Sequence, residues 1–371
     1  MSMKLLVVTA HPGAHGPIPK HAPYLIQGLR NLGIDVTVCF WGRRRVDNTL
    51  TQRLLDRARD VVEIATTAAC LRPDVTVLKT SHESRTLIRD IPLLAAVRLS
   101  SDMLAVQYHG SQPDALNSTG HWFLKAGTRL LLRLVDGLLL LCSDEIQGFS
   151  RFSSACKYER VANPAVPLPA AEGDGELTSV VRRHQASGQF VVLFVGRMVR
   201  SKGVFDLLVA AAALRSTLPT HLVIAGEGKR SAELSNAIRD LGLGDMATLC
   251  GYRQGSQLRD LYLAADVLCL PTYWGEGFPT VITQANAGLP VITTCIRGAA
   301  DYLVEGENAL FVHARDPWSI ATALVRLHGD PILLQRMSAA NLRDVQRFSA
   351  PSVARGYLAA LVSIARGGRE R

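Results

Sequence analysis

No two of the seven cysteines (Cys39, Cys70, Cys142, Cys156, Cys250, Cys269 and Cys295) form a C-x-x-C pair. That speaks against a zinc ribbon and against a disulfide framework, and the thiols read as small core residues of a reducing compartment. Long apolar runs are also missing. The richest, LLLRLVDGLLLLC, is broken by Arg133, Asp136 and Gly137 and falls short of the roughly 18 clean residues that a membrane span requires. The opening MSMKLLVVTAHPG meets Pro12 and Gly13 too early for the apolar region of a signal peptide. It reads as a first β-strand, and the expected location is cytoplasmic, including the inner face of the membrane. No G-x-G-x-x-G follows that strand and no acid stands at the matching distance, which sets aside a nicotinamide-dependent dehydrogenase. No D-x-D-like triplet sits at a strand end, so no metal site is expected. Tandem repeats and low-complexity tracts are absent as well, apart from the basic cluster Arg43, Arg44 and Arg45.

What is present is a chain of 371 residues with 48% hydrophobic content, enough for two domains with full cores. Short apolar runs bounded by Gly, Pro and polar clusters alternate with helical periodicity, the signature of βαβ units and parallel sheets. The strands expected are KLLVVTA, DVTVCF, DVTVLKT, LAVQYH and GLLLLC in the first half, then FVVLFVG, HLVIAG, MATLCG, DVLCLP and PVITT in the second. Between the halves, NPAVPLPAAEGDGEL is rich in Pro, Gly and acid and has no amphipathic period, as a linker should be. The expected organisation is a first domain over residues 1–165, a linker over 166–188 and a second domain over 189–351. In the tail, Val353, Tyr357, Leu358, Leu361 and Ile364 share one helical face, which must pack on something.

The net charge of +9 favours an anionic partner without choosing one. One candidate site for such a group follows FVVLFVG, where the chain turns through Gly196 and Arg197 and brings Lys202 to the start of the helix VFDLLVAAAAL. Two cations beside unpaired helix amides suit a diphosphate, although solvated loop residues would read the same way. A second stretch, EGFPTVITQANAGLP, places Glu276 beside Gly277 and Gln284 eight residues later. Pro279 suits the first turn of a helix that would aim its amides, near Thr280, at the same ligand.

Taken together, GRMVRSKG, IAGEGKRSAEL, CGYRQGSQLRDLYLAADVLCLPT and EGFPTVITQANAGLPVITT resemble the nucleotide-sugar domain of the retaining GT-B glycosyltransferases of family four, the group 1 type. The resemblance implies an α/β fold of GT-B type, two doubly wound Rossmann-like domains facing a central cleft, with the tail from Ser352 crossing back to the first. It also implies donor contacts. Arg197 and Lys202 would hold the diphosphate next to Gly196, and Gly251, Tyr252 and Arg253 would lie beside the nucleobase. Gly277, Phe278, Pro279 and Thr280 would complete the donor loop. Glu276 matches the first acid of the family's E-x7-E signature and would meet sugar hydroxyls, whereas Gln284 replaces the second. An amide still bonds a ribose diol but gives up the charge-assisted bond.

The first half resembles the family's acceptor domain more loosely. His109 ends the strand LAVQYH where the family places a histidine beside the donor sugar. Gly13 and Gly16, in the proline-stiffened loop HPGAHGPIPKHAP, and His82 are the candidate acceptor contacts, with solvent exposure an equal reading for His82. The helix HWFLKAGTRLLLRLVD mixes Trp122 and Phe123 with Lys125, Arg129 and Arg133. It reads either as an internal helix or as one lying on an anionic membrane. The implied reaction is retaining, metal-independent transfer of a hexose-type sugar from a nucleoside-diphosphate sugar, with no cofactor. The implied acceptor is a sugar or lipid-linked sugar of surface polysaccharide or glycoconjugate assembly, with peripheral membrane contact and no nucleic acid. Alternatives kept open are a soluble acceptor such as an antibiotic aglycone, a GT-B-type epimerase or phosphorylase, and a catalytically silent GT-B-like binding protein.

Overall fold

The computed structural model describes residues 3–14, 16–42, 50–167, 183–184, 186–274, 277, 280, 282 and 288–368. They fall into two compact units. One comprises Met1–Ala165, Gly275–Phe278 and Arg347–Arg371, the other Val166–Trp274 and Pro279–Gln346.

In the first unit, β1 (Lys4–Thr9), α1 (Pro17–Asn31), β2 (Asp35–Phe40), α2 (Leu50–Leu71), β3 (Val75–Thr80), α3 (Ser84–Val97) and β4 (Met103–Tyr108) follow one another. They are succeeded by α4 (Pro113–Asn117), α5 (Trp122–Leu134), β5 (Gly137–Leu140), α6 (Ser143–Phe152) and β6 (Lys157–Arg160). The strands form one sheet in the order β2-β1-β3-β4-β5-β6, every pair parallel. Because side chains alternate across a strand, each apolar run feeds two cores. Leu6, Val8, Leu78, Leu104, Val106, Leu138 and Leu140 enter one. Leu5, Val7, Val75, Val77, Met103, Ala105 and Leu139 enter the other, which α1 and the closing helix cover.

The second unit carries β7 (Phe190–Val195), α7 (Val204–Leu214), β8 (Thr220–Ala225), α8 (Ser231–Asp240), β9 (Ala247–Gly251), α9 (Gly255–Ala264) and β10 (Val267–Leu270). It continues through β11 (Val291–Thr294), α10 (Gly298–Tyr302), β12 (Ala309–Val312), α11 (Pro317–Gly329) and α12 (Pro331–Asp344). Its sheet runs β12-β11-β10-β7-β8-β9, again parallel throughout. The strand order reverses at β7 and β10, and open α/β sheets bind ligands at the carboxyl ends of strands beside such a switch.

The closing helix α13 (Ala350–Gly368) returns to the first unit. Val353, Tyr357, Leu361 and Ile364 are buried there, and Leu358 is half-buried. Contact with α1 is tight enough that a Cβ on Gly28 would stand 2.6 Å from the Ala350 carbonyl oxygen. Three expectations need correction. Strands β6 and β12 were not among those expected from the sequence. Cys70 and Cys295 are exposed, while the other five thiols are buried. His82, read as a strand-end group open to acceptor, is 1% exposed. Its Nδ1 accepts from the Gln112 amide at 3.3 Å and its Nε2 pairs with Thr128 Oγ1 at 2.8 Å.

Three buried histidines make the fold acid-sensitive. Burial pushes His21, His82 and His221 down to about 4, so all three are neutral in the native protein. Between pH 6.5 and 4 the unfolded chain binds protons that the native state does not, and stability therefore falls as pH drops through that window. His21 and His82 each contribute on the order of 3 kcal/mol to the loss. Urea midpoints measured from pH 7.5 to 4.5 should decline steeply below 6.5, and a flat profile would contradict the neutral assignment.

Candidate functional site

In the second unit the donor-site candidates sit together on loops at the carboxyl ends of the strands. After β7, Gly196 donates its amide to the Ala225 carbonyl at 3.0 Å, so the loop stays stitched to β8 as it leaves the sheet. Arg197 follows with an exposed side chain. A short 3-10 turn, Arg200–Lys202, then leads through Gly203 into α7, and Lys202 is only 4% exposed. The loop after β10 packs on this turn. The Tyr273 amide donates to the Ser201 carbonyl at 3.0 Å, and the Thr272 hydroxyl donates to the same oxygen at 3.1 Å. Arg197 and Lys202 therefore lie in the loop that leaves β7 at the switch point.

The loops after β8 and β9 complete this rim. Gly226 donates its amide to the Gly251 carbonyl at 2.8 Å. Gly226 holds φ +135°, and a Cβ there would stand 1.9 Å from the Gly196 carbonyl oxygen, so only glycine fits. Next to this junction a cavity of about 830 Å³ is lined by Met198, Ile224, Glu227, Lys229, Ser231 and Leu249, with Gly226, Gly228 and Gly251 at its backbone. Tyr252 is half-exposed, at 51%. Its amide donates to Glu227 Oε1 at 3.4 Å, and Arg253 Nη1 donates to the Tyr252 carbonyl at 3.1 Å. Glu227 and Lys229 escaped the sequence reading, although the two glycines around Glu227 mark a place where backbone can approach a ligand. Arg315 also escaped it. Its guanidinium lies 4.9 Å from the Tyr273 ring centroid, beside the β10 loop.

Of the donor loop after β10, Glu276, Phe278, Pro279 and Gln284 lie outside the described residues. Thr280 is helical and half-buried. Gly277 groups with the first unit and is buried. In the first unit His109 extends β4, its amide donating to the Thr80 carbonyl at 2.8 Å. The residue as a whole is half-buried, yet both ring nitrogens are sealed from solvent and have no partner. Burial holds its pKa well below the usual histidine range, with the nearby Lys79 and His21 adding to the effect, so the ring is a neutral imidazole. Gly13 donates its amide to His11 Nδ1 at 3.2 Å, and Gly16 precedes α1 with φ +123° and open space around it. Among the described residues, no three His, Cys, Asp or Glu side chains cluster as metal ligands would.

Residues 180–343 match the family model of glycosyl transferases group 1. Over these residues, a little under half of the chain, the protein is similar to the group 1 glycosyl transferases. All the rim residues named above lie inside it, as do Glu276 and Gln284. The group 1 resemblance read from the sequence is thus borne out. Glycogen synthase of Mycobacterium tuberculosis (strain ATCC 25618 / H37Rv) is 30% identical over 190 residues, 51% of this chain and 46% of that one. The chain spans about half the length of such curated relatives. Among solved structures, sucrose-phosphate synthase from Thermosynechococcus elongatus superposes with TM-score 0.74 at 18% identity, covering 98% of this chain and 100% of that one. Anabaena Alr3699/HepE in complex with UDP-glucose gives 0.71 at 17%, covering 97% and 100%. These likenesses show that the fold is GT-B, with two Rossmann-like units, as the sequence implied.

Proposed function

We propose that the protein is a retaining glycosyltransferase that moves a hexose-type sugar from a nucleoside-diphosphate sugar to an acceptor hydroxyl. The observation that carries this reading is the pair Arg197 and Lys202 at the switch point of the second sheet, on a rim shared with a cavity roomy enough for a nucleoside. When the glycosidic bond breaks, negative charge gathers on the departing diphosphate. Two fixed cations and helix amides stabilise that charge without a metal. In this reading the acceptor attacks from the face the diphosphate leaves, a departing phosphate oxygen takes the acceptor proton, and no protein nucleophile is needed. The family's pattern assigns Glu276 to the sugar hydroxyls and Gln284 to the ribose. His109, a neutral imidazole, orients the sugar and shields its cationic transition state. That Anabaena Alr3699/HepE was solved with UDP-glucose supports a nucleotide-sugar donor.

The acceptor in this proposal is a sugar or lipid-linked sugar at the inner face of the membrane. Helix α5 supports it. Leu124, Thr128, Leu131 and Leu132 are buried, while Trp122, Phe123 and Leu130 stand exposed on a helix that also carries Lys125, Arg129 and Arg133. Such a surface suits an anionic bilayer. Cosedimentation with vesicles of anionic lipid, lost in Trp122→Ser with Phe123→Ser, tests this part alone.

Thermal shift with uridine, guanosine and adenosine diphosphate sugars identifies the donor, since a ligand at 100 times its Kd adds about 2.7 kcal/mol. Transfer with inversion would refute retention, and binding without transfer or hydrolysis of any donor would leave only the silent binding protein. Arg197→Ala and Lys202→Ala should each weaken diphosphate affinity about tenfold to hundredfold, the value of one charge-assisted contact, while the fold persists. Calorimetry that finds both variants binding as the parent does would remove the donor pocket from this rim.

A further inference from the structure

The most anomalous charge in the first unit is Lys79. It stands on β3, 3% exposed, and among the described residues no carboxylate pairs with it. Its ammonium donates to Gln107 Oε1 and lies 5.4 Å from the Tyr357 ring centroid. Gln107 is already committed, since the same Oε1 accepts from the Tyr357 hydroxyl at 3.0 Å and its Nε2 donates to Asn163 at 3.4 Å. An ammonium offers three donors, and a buried one without a counter-charge is costly unless something compensates it. Burial alone drags its pKa down to about 7.

Two further side chains on the same face of the sheet are unsatisfied. Lys79 pairs in register with Gln107 on β4, and alternation along that strand brings His109 to the same face. On the other side β1 runs beside β3 with Val8 opposite Leu78, and one step further along places Thr9 beside Lys79. Thr9 is 2% exposed and its Oγ1 has no partner, nor has either ring nitrogen of His109. The sheet thus gathers an uncompensated cation and two orphaned polar side chains at the carboxyl ends of β1, β3 and β4. β1 and β3 flank the point where the order of the first sheet reverses, the side on which open α/β sheets take ligands. Unpaired buried polar groups in one spot call for a ligand that pairs them.

We propose that Thr9, Lys79 and His109 form a subsite for an anionic group, a phosphate or carboxylate carried by a substrate. Lys79 supplies the charge and the hydroxyl and imidazole supply directed hydrogen bonds, while Gln107, clamped by Tyr357 from α13, fixes the ammonium. The subsite rests on the proposed sugar transfer only for which substrate brings the anion.

Inorganic phosphate is the probe, titrated by calorimetry into the full chain carrying Arg197→Ala and Lys202→Ala so that the rim of the second unit does not compete. That chain should bind phosphate. Adding Lys79→Met should lower the affinity about tenfold to hundredfold, and Lys79→Arg should retain part of it. Tyr357→Phe, which keeps the ammonium but unclamps Gln107, should lower it less than Lys79→Met does. Should Lys79→Met fail to fold, phosphate-induced shifts of the His109 imidazole resonances in the parent serve instead. No binding by the parent, no His109 response, or undiminished binding by folded Lys79→Met would overturn the subsite. The otherwise unaltered chain separates the sources. Weaker nucleoside diphosphate binding in Lys79→Met marks the anion as the donor's. Unchanged nucleotide binding, with phosphate uptake by the nucleotide-saturated chain lost, marks it as the acceptor's. A chain that binds phosphate through Lys79 yet transfers no sugar keeps the subsite and loses the transferase reading.

Discussion

Replacing Gly226 by alanine should lower the stability of the second unit by about 4 kcal/mol and cripple nucleotide binding with it. The position tolerates no side chain for two separate reasons. Its φ of +135° lies in a region that residues with a Cβ rarely enter, and the added methyl carbon would lie 1.9 Å from the Gly196 carbonyl oxygen and 3.3 Å from Met198 Cε. The first effect costs about 1–3 kcal/mol. The second cannot be relieved by rotating a side chain, because the obstacle is backbone. Either β7 or β8 must shift, breaking the hydrogen bonds that the Gly196 amide donates to Ala225 and the Gly226 amide to Gly251. Arg197 follows Gly196 directly, so the strain passes into the residue assigned to the diphosphate. Urea unfolding and nucleotide titration of Gly226→Ala test both halves. An unmoved midpoint together with unmoved affinity would show that the three strand ends do not lock one another.

Ending the chain at Ser349 should leave the first unit insoluble or unfolded at 37 °C. The lost helix α13 buries Val353, Tyr357, Leu361 and Ile364 against the core face of β1, β3, β4 and β5. At about 1.5–3 kcal/mol for each fully buried large side chain, its removal forfeits on the order of 8 kcal/mol. That is comparable with the whole stability of an ordinary domain, about 5–15 kcal/mol. It also strips cover from Gly28 of α1, which packs on Ala350 and Ala354. No substitute is at hand for Ile364, whose methyls fill the space above Gly137, where a Cβ would lie 2.6 Å from its Cδ1. Proteolysis and thermal unfolding of the truncated chain provide the measurement, and native-like melting would contradict the packing.

Much of this architecture was legible because fully buried parallel strands announce themselves as short apolar runs. KLLVVT, FVVLFV and VLCL could hardly be anything else. The closing helix was equally plain from Val353, Tyr357, Leu361 and Ile364 at helical spacing. Strand β6 was hidden for the opposite reason. Lys157–Arg160 reads KYER, lies at the end of the sheet order and needs no apolar face on both sides. At the site, Arg197 and Lys202 were visible because a strand, a turn and a helix start are local features. Lys79 was not. In VTVLKT a lysine one residue from a strand end looks solvated, and only the pairing of β3 with β4, 28 residues away in sequence, reveals that it is enclosed. His82 misled for the same reason, since its burial depends on Thr128 of α5.

The return of α13 to the first unit has a consequence for the order of assembly. A ribosome emits β1 through β6 first, yet the face of that sheet formed by Leu5, Val7, Val77 and Ala105 is covered only in part, by α1, until a helix encoded after the entire second unit emerges. From Ala165 to Ala350 is 185 positions (350 − 165), which at about 5–20 residues per second takes roughly 10–40 s. Through that interval the nascent chain displays a half-covered apolar sheet face, while the second unit, whose strands are contiguous, is free to complete itself. The half made first is thus finished last.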